Sequence, residues 1–283
     1  MRNETVLQEK WTDYPIIAID TETSGQYPLK DDICEIAAVK SIGGKVIETF
    51  QTLVKPRETM SEFIIGIHGI TNDMVKDAPH VSEVLPDFLD FIKEGVVVGH
   101  HSPFDLGFLS YDLEKYGLPI PTDPAMCSSL ISRNTINDTP NHKLQTLIKH
   151  LGIDGGQAHR ALDDAKACLD LTFHCLKKKK VQTFNDVFSI QGSPLWWNYF
   201  SVRGRTLQSQ MWKTVVEAIE NNKNLEIIYN GGSFKGKKRK VQPWSVVLNP
   251  TGDFLVALDL EKDGEKEAKR FYFKRLNEAE VIY

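Results

Sequence analysis

The chain has 283 residues, of which 41% are hydrophobic and 25% are charged. This composition is close to the globular norm and excludes wholesale disorder, and the length suits two domains of ordinary size. No apolar run approaches the roughly 18–20 residues that span a membrane, and the polar first residues lack the apolar core of a secretory signal. The four cysteines form no CxxC pair and no zinc-ligand spacing, so we predict reduced thiols in a cytoplasmic protein with no membrane partner.

The net charge of −4 hides an asymmetry between the two parts of the chain. Residues 1–205 carry 21 Lys and Arg against 27 Asp and Glu, a net of −6. Residues 206–283 carry 13 against 11, a net of +2. The acidic first part does not exclude a polyanionic substrate, because bound divalent metals can reverse the sign of a local site.

The first part of the chain alternates between strand-like and helical periodicity. Strands are predicted for residues 15–20, 33–42, 46–54 and 96–100. Helices are predicted for residues 81–92, about 103–116, 144–151 and about 160–176. Gly43-Gly44 predicts a hairpin turn between the second and third strands. A strand meander followed by strands that alternate with helices indicates a mixed α/β sheet.

The second part of the chain has a different pattern of predicted elements. Residues 181–205 have no clean period and contain Trp196-Trp197, which predicts a linker with an aromatic anchor packed on one of the domains. A helix is predicted for residues 207–220, and short strands for residues 225–229, 241–248, 254–260, 270–273 and 279–283. Short strands separated by turn signals predict a small β-barrel.

Two carboxylates follow the first predicted strand directly. Residues two apart in a strand point to the same side, so Asp20 and Glu22 can face one site. A solvent-facing strand end is the alternative, because D-x-E patterns occur by chance in many sheets.

A second acidic segment, H-H-S-P-F-D at residues 100–105, begins a predicted helix. Ser102 can cap this helix, with Pro103 at its first position and Asp105 at its third. That local explanation does not exclude a second role, since a carboxylate at a helix start can also hold a cation.

A third segment, H-R-A-L-D-D-A at residues 159–165, opens the long predicted helix. His159 lies just before the helix and Asp164 in its first turn, where the helix dipole favours acidic groups in any case. Each motif has a plausible local explanation, but their conjunction in this order and spacing indicates one site.

The three motifs together resemble those of DEDDh 3′–5′ exonucleases, a family with a ribonuclease-H-like fold that includes the proofreading subunit of bacterial DNA polymerase III. D-x-E-T-x-G, F-D and H-x-A-x-x-D-A carry this resemblance over about residues 12–177. H-G-I-T, beginning at His68, matches the segment that lines the family's terminal-nucleotide pocket. His101 departs from the Asn that usually stands at its position. Either Asp163 or Asp164 could be the acidic ligand of the third motif, and the motif spacing favours Asp164. We interpret His100 as a structural residue.

The resemblance implies a role for each motif residue. The implied metal ligands are Asp20, Glu22, Asp105 and Asp164. Their hard oxygens suit two Mg²⁺ or Mn²⁺ ions rather than zinc, and such a pair stabilises the attacking and leaving oxygens of an in-line phosphoryl displacement. His159 would take the proton from the attacking water, as an imidazole is suited to do. The residues implied to hold the 3′-terminal nucleotide are Thr23, His68 and Phe104.

Residues 206–283 resemble a WYL domain, a small Sm-like barrel. L-E-I-I-Y at residues 225–229 and F-L-V-A at residues 254–257 carry this resemblance, although the name-giving Trp-Tyr-Leu is here Asp-Phe-Leu. Members are thought to sense nucleic-acid or nucleotide ligands through basic residues. The implied nucleic-acid contacts are Arg239, Arg270 and Arg275. The alternative is a barrel that only packs or dimerises.

The sequence thus predicts a ribonuclease-H-like α/β domain at residues 12–178, a linker at 179–205 and a WYL-like barrel at 206–283. The predicted activity is metal-dependent hydrolysis of single-stranded 3′ ends, preferably of DNA, to nucleoside 5′-monophosphates. The implied partners are nucleic-acid 3′ ends and a DNA polymerase or another replication or repair protein. The alternatives are an RNA exonuclease of the same fold and a regulator that uses this fold only to bind nucleic acid.

Overall fold

The computed structural model describes residues 2–232, 234–261 and 267–282. The strands of its first part are β1 (Ile16–Thr23), β2 (Ile33–Ile42), β3 (Lys45–Leu53), β4 (Val96–Gly99), β5 (Pro124–Cys127) and β6 (Leu195–Trp196). The helices of this part are α1 (Glu62–His68), α2 (Asn72–Val75), α3 (Val81–Ile92), α4 (Pro103–Lys115), α5 (Ser128–Arg133), α6 (Leu144–Leu151), α7 (Ala161–Lys179) and α8 (Phe184–Gln191). Within the described ranges, no helix combines the length and the apolar character that crossing a membrane requires.

The first sheet has the strand order β3-β2-β1-β4-β5-β6. Strand β1 runs antiparallel to β2 and parallel to β4, so the sheet is mixed, as predicted. The turn between β2 and β3 places Gly43 and Gly44 at φ angles of 60° and 81°. Glycine adopts such angles without steric cost, which explains the tight hairpin that the sequence indicated.

Helix α7 crosses the sheet over β1 and β2. Its buried face includes the small side chains of Ala165 and Cys168, which permit close packing on the strands. Acidic residues occupy its first turn and lysines its last, and both complement the helix dipole. The packing therefore brings the acidic start of α7 close to the carboxylates of β1.

The second part forms an antiparallel sheet of the order β10-β9-β8-β7-β11. Its strands are β7 (Asn224–Tyr229), β8 (Lys238–Val247), β9 (Phe254–Asp259), β10 (Lys269–Tyr272) and β11 (Leu276–Ile282), and the helices before them are α9 (Val202–Gln208) and α10 (Gln210–Glu220). The last predicted strand extends to residue 283, which lies outside the described residues.

The second sheet is confirmed, but a closed barrel is not observed. Among the described residues, the edge strands β10 and β11 do not pair with each other. The chain leaves β10 through a short 3₁₀ helix at Phe273–Arg275 and then pairs with β7 at the opposite edge. Trp212 of α10 stacks on Phe273 with ring centroids 3.7 Å apart, so an aromatic contact from the helix occupies this corner of the sheet.

The segment predicted as a linker is largely ordered into elements. Strand β6 pairs with β5 and extends the first sheet, and a 3₁₀ helix follows at Trp197–Phe200. The side chains of Trp197 and Phe200 are buried in the apolar core. This stretch therefore packs as part of the first unit, with an aromatic residue as its anchor.

One continuous apolar core joins the two units. The loop between β1 and β2 also contacts the second sheet directly: the Leu29 N–H donates to Ser245 Oγ at 3.3 Å, and Lys30 Nζ lies 3.4 Å from the ring centroid of Trp244. The domain boundaries at residues 178 and 206 stay a prediction, because packing continues through them.

Candidate active site

The first acidic motif lies where β1 approaches its C-terminal end. Asp20 and Glu22 are two residues apart, so their side chains project from the same face of the strand. Both residues are half-buried, and Glu22 pairs across the sheet with Glu35 of β2. A solvent-exposed strand end therefore does not describe this pair.

The second motif brings Asp105 to β1. Asp105 is buried in the first turn of α4, and its Oδ1 accepts hydrogen bonds from the Thr21 backbone N–H at 3.0 Å and from the Thr21 hydroxyl at 2.8 Å. Thr21 stands between the two carboxylates of β1, so these bonds fix the helix start beside them. Ser102 stands at the N-cap and Pro103 at the first helical position, as the sequence indicated, but the Ser102 hydroxyl does not cap the helix. It is buried, accepts the Gly99 N–H at 3.1 Å and lies within hydrogen-bond distance of the carbonyl oxygens of Gly99 and Met126.

The third motif adds His159 and Asp164. His159 has a left-handed backbone with a φ of 59°, and its side chain is exposed. Its N–H donates to Asp164 Oδ2 at 2.9 Å, and Asp164 Oδ1 accepts from Gln145 Nε2 at 2.9 Å. Asp163 is engaged separately, since its Oδ2 accepts the Gln157 N–H at 2.9 Å. The geometry therefore favours Asp164 over Asp163 as a metal-ligand candidate.

These three motifs converge on one place. A ligand atom from each of Glu22, His159 and Asp164 lies within 4.8 Å of the other two. Burial raises the pKa of Asp20 well above its usual range, and the charges of Asp105, Glu22 and Asp164 raise it further. Asp20 therefore shares its electrostatic environment with every other carboxylate of the predicted set.

The carboxylates of this site can be ionised together only when a positive charge compensates them. Burial, followed by the charges of Asp164 and Glu35, raises the pKa of Glu22 to about 8. Burial also raises the pKa of Asp105 to about 7, although the hydrogen bonds from Thr21 oppose this shift. Crowded carboxylates with raised pKa values are typical of sites that accept a cation. Their hard oxygen atoms fit Mg²⁺ or Mn²⁺ better than zinc, so the residues present suit the metal that the sequence implied.

Two of the predicted nucleotide-binding residues support the backbone around the site. Thr23 is buried and its hydroxyl donates to the Gly25 carbonyl at 2.6 Å. His68 is also buried: its Nδ1 accepts the Ile70 N–H at 3.0 Å, and its Nε2 lies 3.7 Å from Cys34 Sγ. Burial lowers the pKa of His68, so the imidazole is held neutral. A direct contact between this imidazole and a nucleotide stays a prediction.

Phe104 is the third predicted nucleotide-binding residue. Its half-buried ring lies 5.1 Å from that of Phe108. It lines a narrow cleft together with Pro28 and with Val246 of β8. The second sheet therefore reaches the neighbourhood of the acidic site.

The two adjacent histidines of the second motif differ in their surroundings. His100 Nδ1 lies 2.8 Å from Ser128 Oγ, and its Nε2 donates to the His142 carbonyl at 2.9 Å. Burial lowers the pKa of His100 to about 4, which agrees with a structural role. His101 is exposed and has a φ of 72°.

Glu35 is a residue of this site that the sequence analysis missed. It is fully buried in β2, and its carboxylate contacts Arg160 beside His159. The sequence feature that could have revealed Glu35 is its position as a carboxylate within the apolar run at residues 33–39 of a predicted strand.

The three arginines predicted to contact nucleic acid in the second part are placed differently. Arg239 is buried, and its Nη1 lies 3.1 Å from Asp259 Oδ2. Arg270 and Arg275 are exposed. Of the three arginines, Arg270 and Arg275 therefore present their side chains to solvent and Arg239 does not.

The match to known proteins follows the same division of the chain. A family model described as Exonuclease matches residues 17–172, which include all three acidic motifs. The chain belongs to the exonuclease family. A WYL domain matches residues 210–281 of this exonuclease. Both resemblances drawn from the sequence are thereby confirmed, as is the predicted class of enzyme.

Curated relatives of this exonuclease are much longer proteins. A PolC-type DNA polymerase III from Caldanaerobacter subterraneus is 37% identical over 177 residues, which cover 60% of this chain and 13% of the relative. The corresponding polymerase from Oceanobacillus iheyensis is 37% identical over 151 residues, which cover 53% of this chain and 11% of the relative. This exonuclease thus matches about an eighth of the length of these polymerases or less.

Solved structures share the fold. E. coli Exonuclease I in complex with a dT13 oligonucleotide has a TM-score of 0.55 at 17% identity, covering 89% of this exonuclease and 56% of that chain. A 3′-exonuclease that recognises a histone mRNA stem-loop has a TM-score of 0.51 at 24% identity, covering 58% of this exonuclease and 83% of that chain. The predicted ribonuclease-H-like α/β fold of the first part is therefore confirmed.

Proposed function

We propose that this exonuclease removes nucleotides from the 3′ ends of single-stranded nucleic acid, preferably DNA, and releases nucleoside 5′-monophosphates in a reaction that requires divalent metal. The observation that carries the proposal is the convergence of three motifs, spread over residues 20–164, on one acidic cluster beside His159. A module that only binds a polyanion has no need of a buried cluster of negative charge. The same cluster is suited to phosphoryl transfer, because bound cations can neutralise both the ligands and the substrate.

The residues proposed to hold two Mg²⁺ or Mn²⁺ ions are Asp20, Glu22, Asp105 and Asp164. When bound, such ions stabilise the negative charge that develops on the attacking and leaving oxygens. The exposed imidazole of His159 adjoins Glu22 and Asp164, where it can accept the proton of an attacking water. The backbone N–H of His159 meanwhile holds the Asp164 carboxylate in place.

DNA is the preferred substrate in this proposal because the 37% identical relatives are DNA polymerases. They are also the basis for proposing a replication or repair setting, with a polymerase or another such protein as partner. Cys34, Cys127, Cys168 and Cys175 are all free and buried, which agrees with a reducing cytoplasm. In the second unit, Arg270 and Arg275 are the proposed contacts to the substrate strand because their side chains are exposed, whereas Arg239 is buried beside Asp259.

The test is a side-by-side digestion of 5′-labelled single-stranded DNA, duplex DNA and RNA with Mg²⁺, Mn²⁺ or EDTA. We expect a ladder that shortens from the 3′ end of single-stranded DNA, mononucleotide products, and no reaction in EDTA. Asp20→Ala serves as the inactive control. Faster cleavage of RNA than of DNA would make RNA the substrate. Tight binding without hydrolysis would show that the protein is a binding module and not an enzyme.

A further inference from the structure

Glu35 concentrates an unusual number of hydrogen bonds beside the active site. Its Oε1 accepts from Gln51 Nε2 and from Arg160 Nη2, both at 2.8 Å. Its Oε2 accepts from Arg160 Nε at 3.3 Å and from the Ala161 N–H at 3.1 Å. Two carboxylate oxygens offer about four acceptor positions, so this carboxylate is saturated. It has no free lone pair for a metal ion, although it lies opposite Glu22 in the sheet.

Three of these four hydrogen bonds come from the start of α7. The first N–H groups of a helix have no partner within the helix and need an acceptor from elsewhere. Arg160 stands at the N-cap without a side-chain cap of its own, and the Glu35 carboxylate accepts the N–H of Ala161, the first helical residue. Glu35 thus caps α7 from a strand that lies 126 residues earlier in the chain.

His159 immediately precedes this capped start. Its φ of 59° lies in the left-handed region, which a non-glycine residue holds only where its surroundings impose it. Two sets of contacts impose this conformation: Glu35 fixes Arg160 and Ala161, and Asp164 accepts the His159 N–H. The direction of the imidazole therefore depends on the Glu35 contact.

The pKa of Glu35 is consistent with its role as the acceptor of these hydrogen bonds. Burial acts to raise the pKa of Glu35, but the hydrogen bonds from Arg160, Gln51 and Ala161 outweigh it and lower the pKa. Glu35 is therefore ionised as it holds the Arg160 guanidinium in a two-point ion pair, the geometry that orients an arginine best.

We propose that Glu35 is a positioning residue, which acts through Arg160 and Ala161 to hold His159 in the conformation that the reaction requires. The inference rests on the proposed function for its kinetic consequences, but its structural part does not. Loss of Glu35 should lower kcat by about 10- to 100-fold, which is the usual effect of substituting a residue that orients an active-site group. KM should change little, because the hydrogen bonds of Glu35 go to Gln51 and to the start of α7, and none goes to a residue predicted to hold the nucleotide.

The kinetic test compares Glu35→Gln, Arg160→Met and their combination in the full chain. We expect the combined variant to lose no more kcat than Glu35→Gln alone, since Arg160 acts through its contact with Glu35, and Arg160→Met to lose no more than Glu35→Gln, since it leaves the bond from the Ala161 N–H in place. Introduced into His159→Asn, Glu35→Gln should cause no further loss of kcat.

Gln51→Ala is the matched control, because it removes one donor from Glu35 without touching α7, and it should keep normal kcat. Additive losses, or an undiminished effect in the His159→Asn background, would overturn the proposal. A large loss of Mn²⁺ affinity in Glu35→Gln alone would make Glu35 a ligand instead.

A second measurement separates this inference from the proposed function. Hydrogen exchange of the His159 N–H reports its bond to Asp164 in metal-free protein, whether or not the protein cleaves nucleic acid. Glu35→Gln should accelerate this exchange at least tenfold relative to amides in the second sheet, and Gln51→Ala should not. Unchanged protection in Glu35→Gln would overturn the positioning role. An inactive wild-type protein with the expected exchange pattern would overturn only the proposed activity.

Discussion

Thr21 donates both its backbone N–H and its hydroxyl to Oδ1 of Asp105, 84 residues away. The residue between the two carboxylates of β1 thus holds the start of α4 against the strand. Both bonds also oppose the rise in the pKa of Asp105 that burial causes. One threonine therefore joins two of the three acidic motifs.

Thr21→Val removes the hydroxyl bond and keeps the shape of the side chain. We expect the free energy of unfolding in EDTA to fall by about 1–3 kcal/mol, because a buried carboxylate loses one donor. Chemical denaturation measures this change. Thr12→Val is the control, since the Thr12 hydroxyl bonds to Asp13 at the exposed surface. Equal stability of the two variants would show that the backbone bond alone suffices.

Asp164→Ala should lower turnover by at least about a thousandfold, because it removes a metal ligand whose loss costs several kcal/mol of transition-state stabilisation. Asp163→Ala should keep activity within a few fold, since Asp163 is engaged with the Gln157 N–H outside the cluster. Single-turnover rates on single-stranded DNA measure both, with thermal unfolding as the check on folding. An inactive Asp163→Ala beside a nearly normal Asp164→Ala would reverse the assignment.

His159→Asn should lower kcat by about 10²- to 10⁴-fold, the usual contribution of a general base. Asparagine tolerates the left-handed backbone of this position, so the change removes the imidazole with little strain. His101→Asn is matched in residue type and in backbone conformation, and it should retain activity. Comparable losses in both variants would assign the effect to the backbone rather than to a proton acceptor.

Metal affinity should increase with pH between about pH 6 and about pH 8. The raised pKa values of Glu22, about 8, and Asp105, about 7, mean that both groups hold protons in metal-free protein at the lower end of this range. A cation must displace these protons, so affinity should change by up to about tenfold per pH unit for each proton released. Calorimetric titration with Mn²⁺ in buffers of different ionisation enthalpy counts the protons. Binding without proton release would contradict the raised pKa values.

Arg270→Ala and Arg275→Ala should weaken the binding of single-stranded DNA and reduce its salt dependence by about 0.7 units of slope per lost phosphate contact. Lys45→Ala, which removes an equal charge from the exposed first residue of β3, should leave the slope unchanged. Isotherms at several salt concentrations, in an Asp20→Ala background that cannot cleave, provide the measurement. Point substitutions are preferable to deletion of residues 206–283, because that deletion would open the shared core. Unchanged slopes would assign the second unit to another partner.

The acidic site could be anticipated from sequence because its determinants are local. Asp20 and Glu22 share a face through the two-residue period of a strand, and Asp105 and Asp164 each stand in the first turn of a helix. The hairpin at Gly43-Gly44 and the helices α3 and α6 likewise follow from turn chemistry and periodicity. Such patterns predict which elements form and which side chains they present at their ends.

Only the tertiary structure decided what those elements contact. The bond of Glu35 to Ala161 joins residues 126 apart, and the burial of Arg239 depends on Asp259 in the neighbouring strand. The same holds for the open edges of the second sheet and for the packing of the segment read as a linker. A sequence pattern reports the preferences of nearby residues. A charged side chain in the interior needs a partner, because burying an unpaired charge costs too much free energy. Which partner it finds depends on the strands and helices that the folded chain brings together.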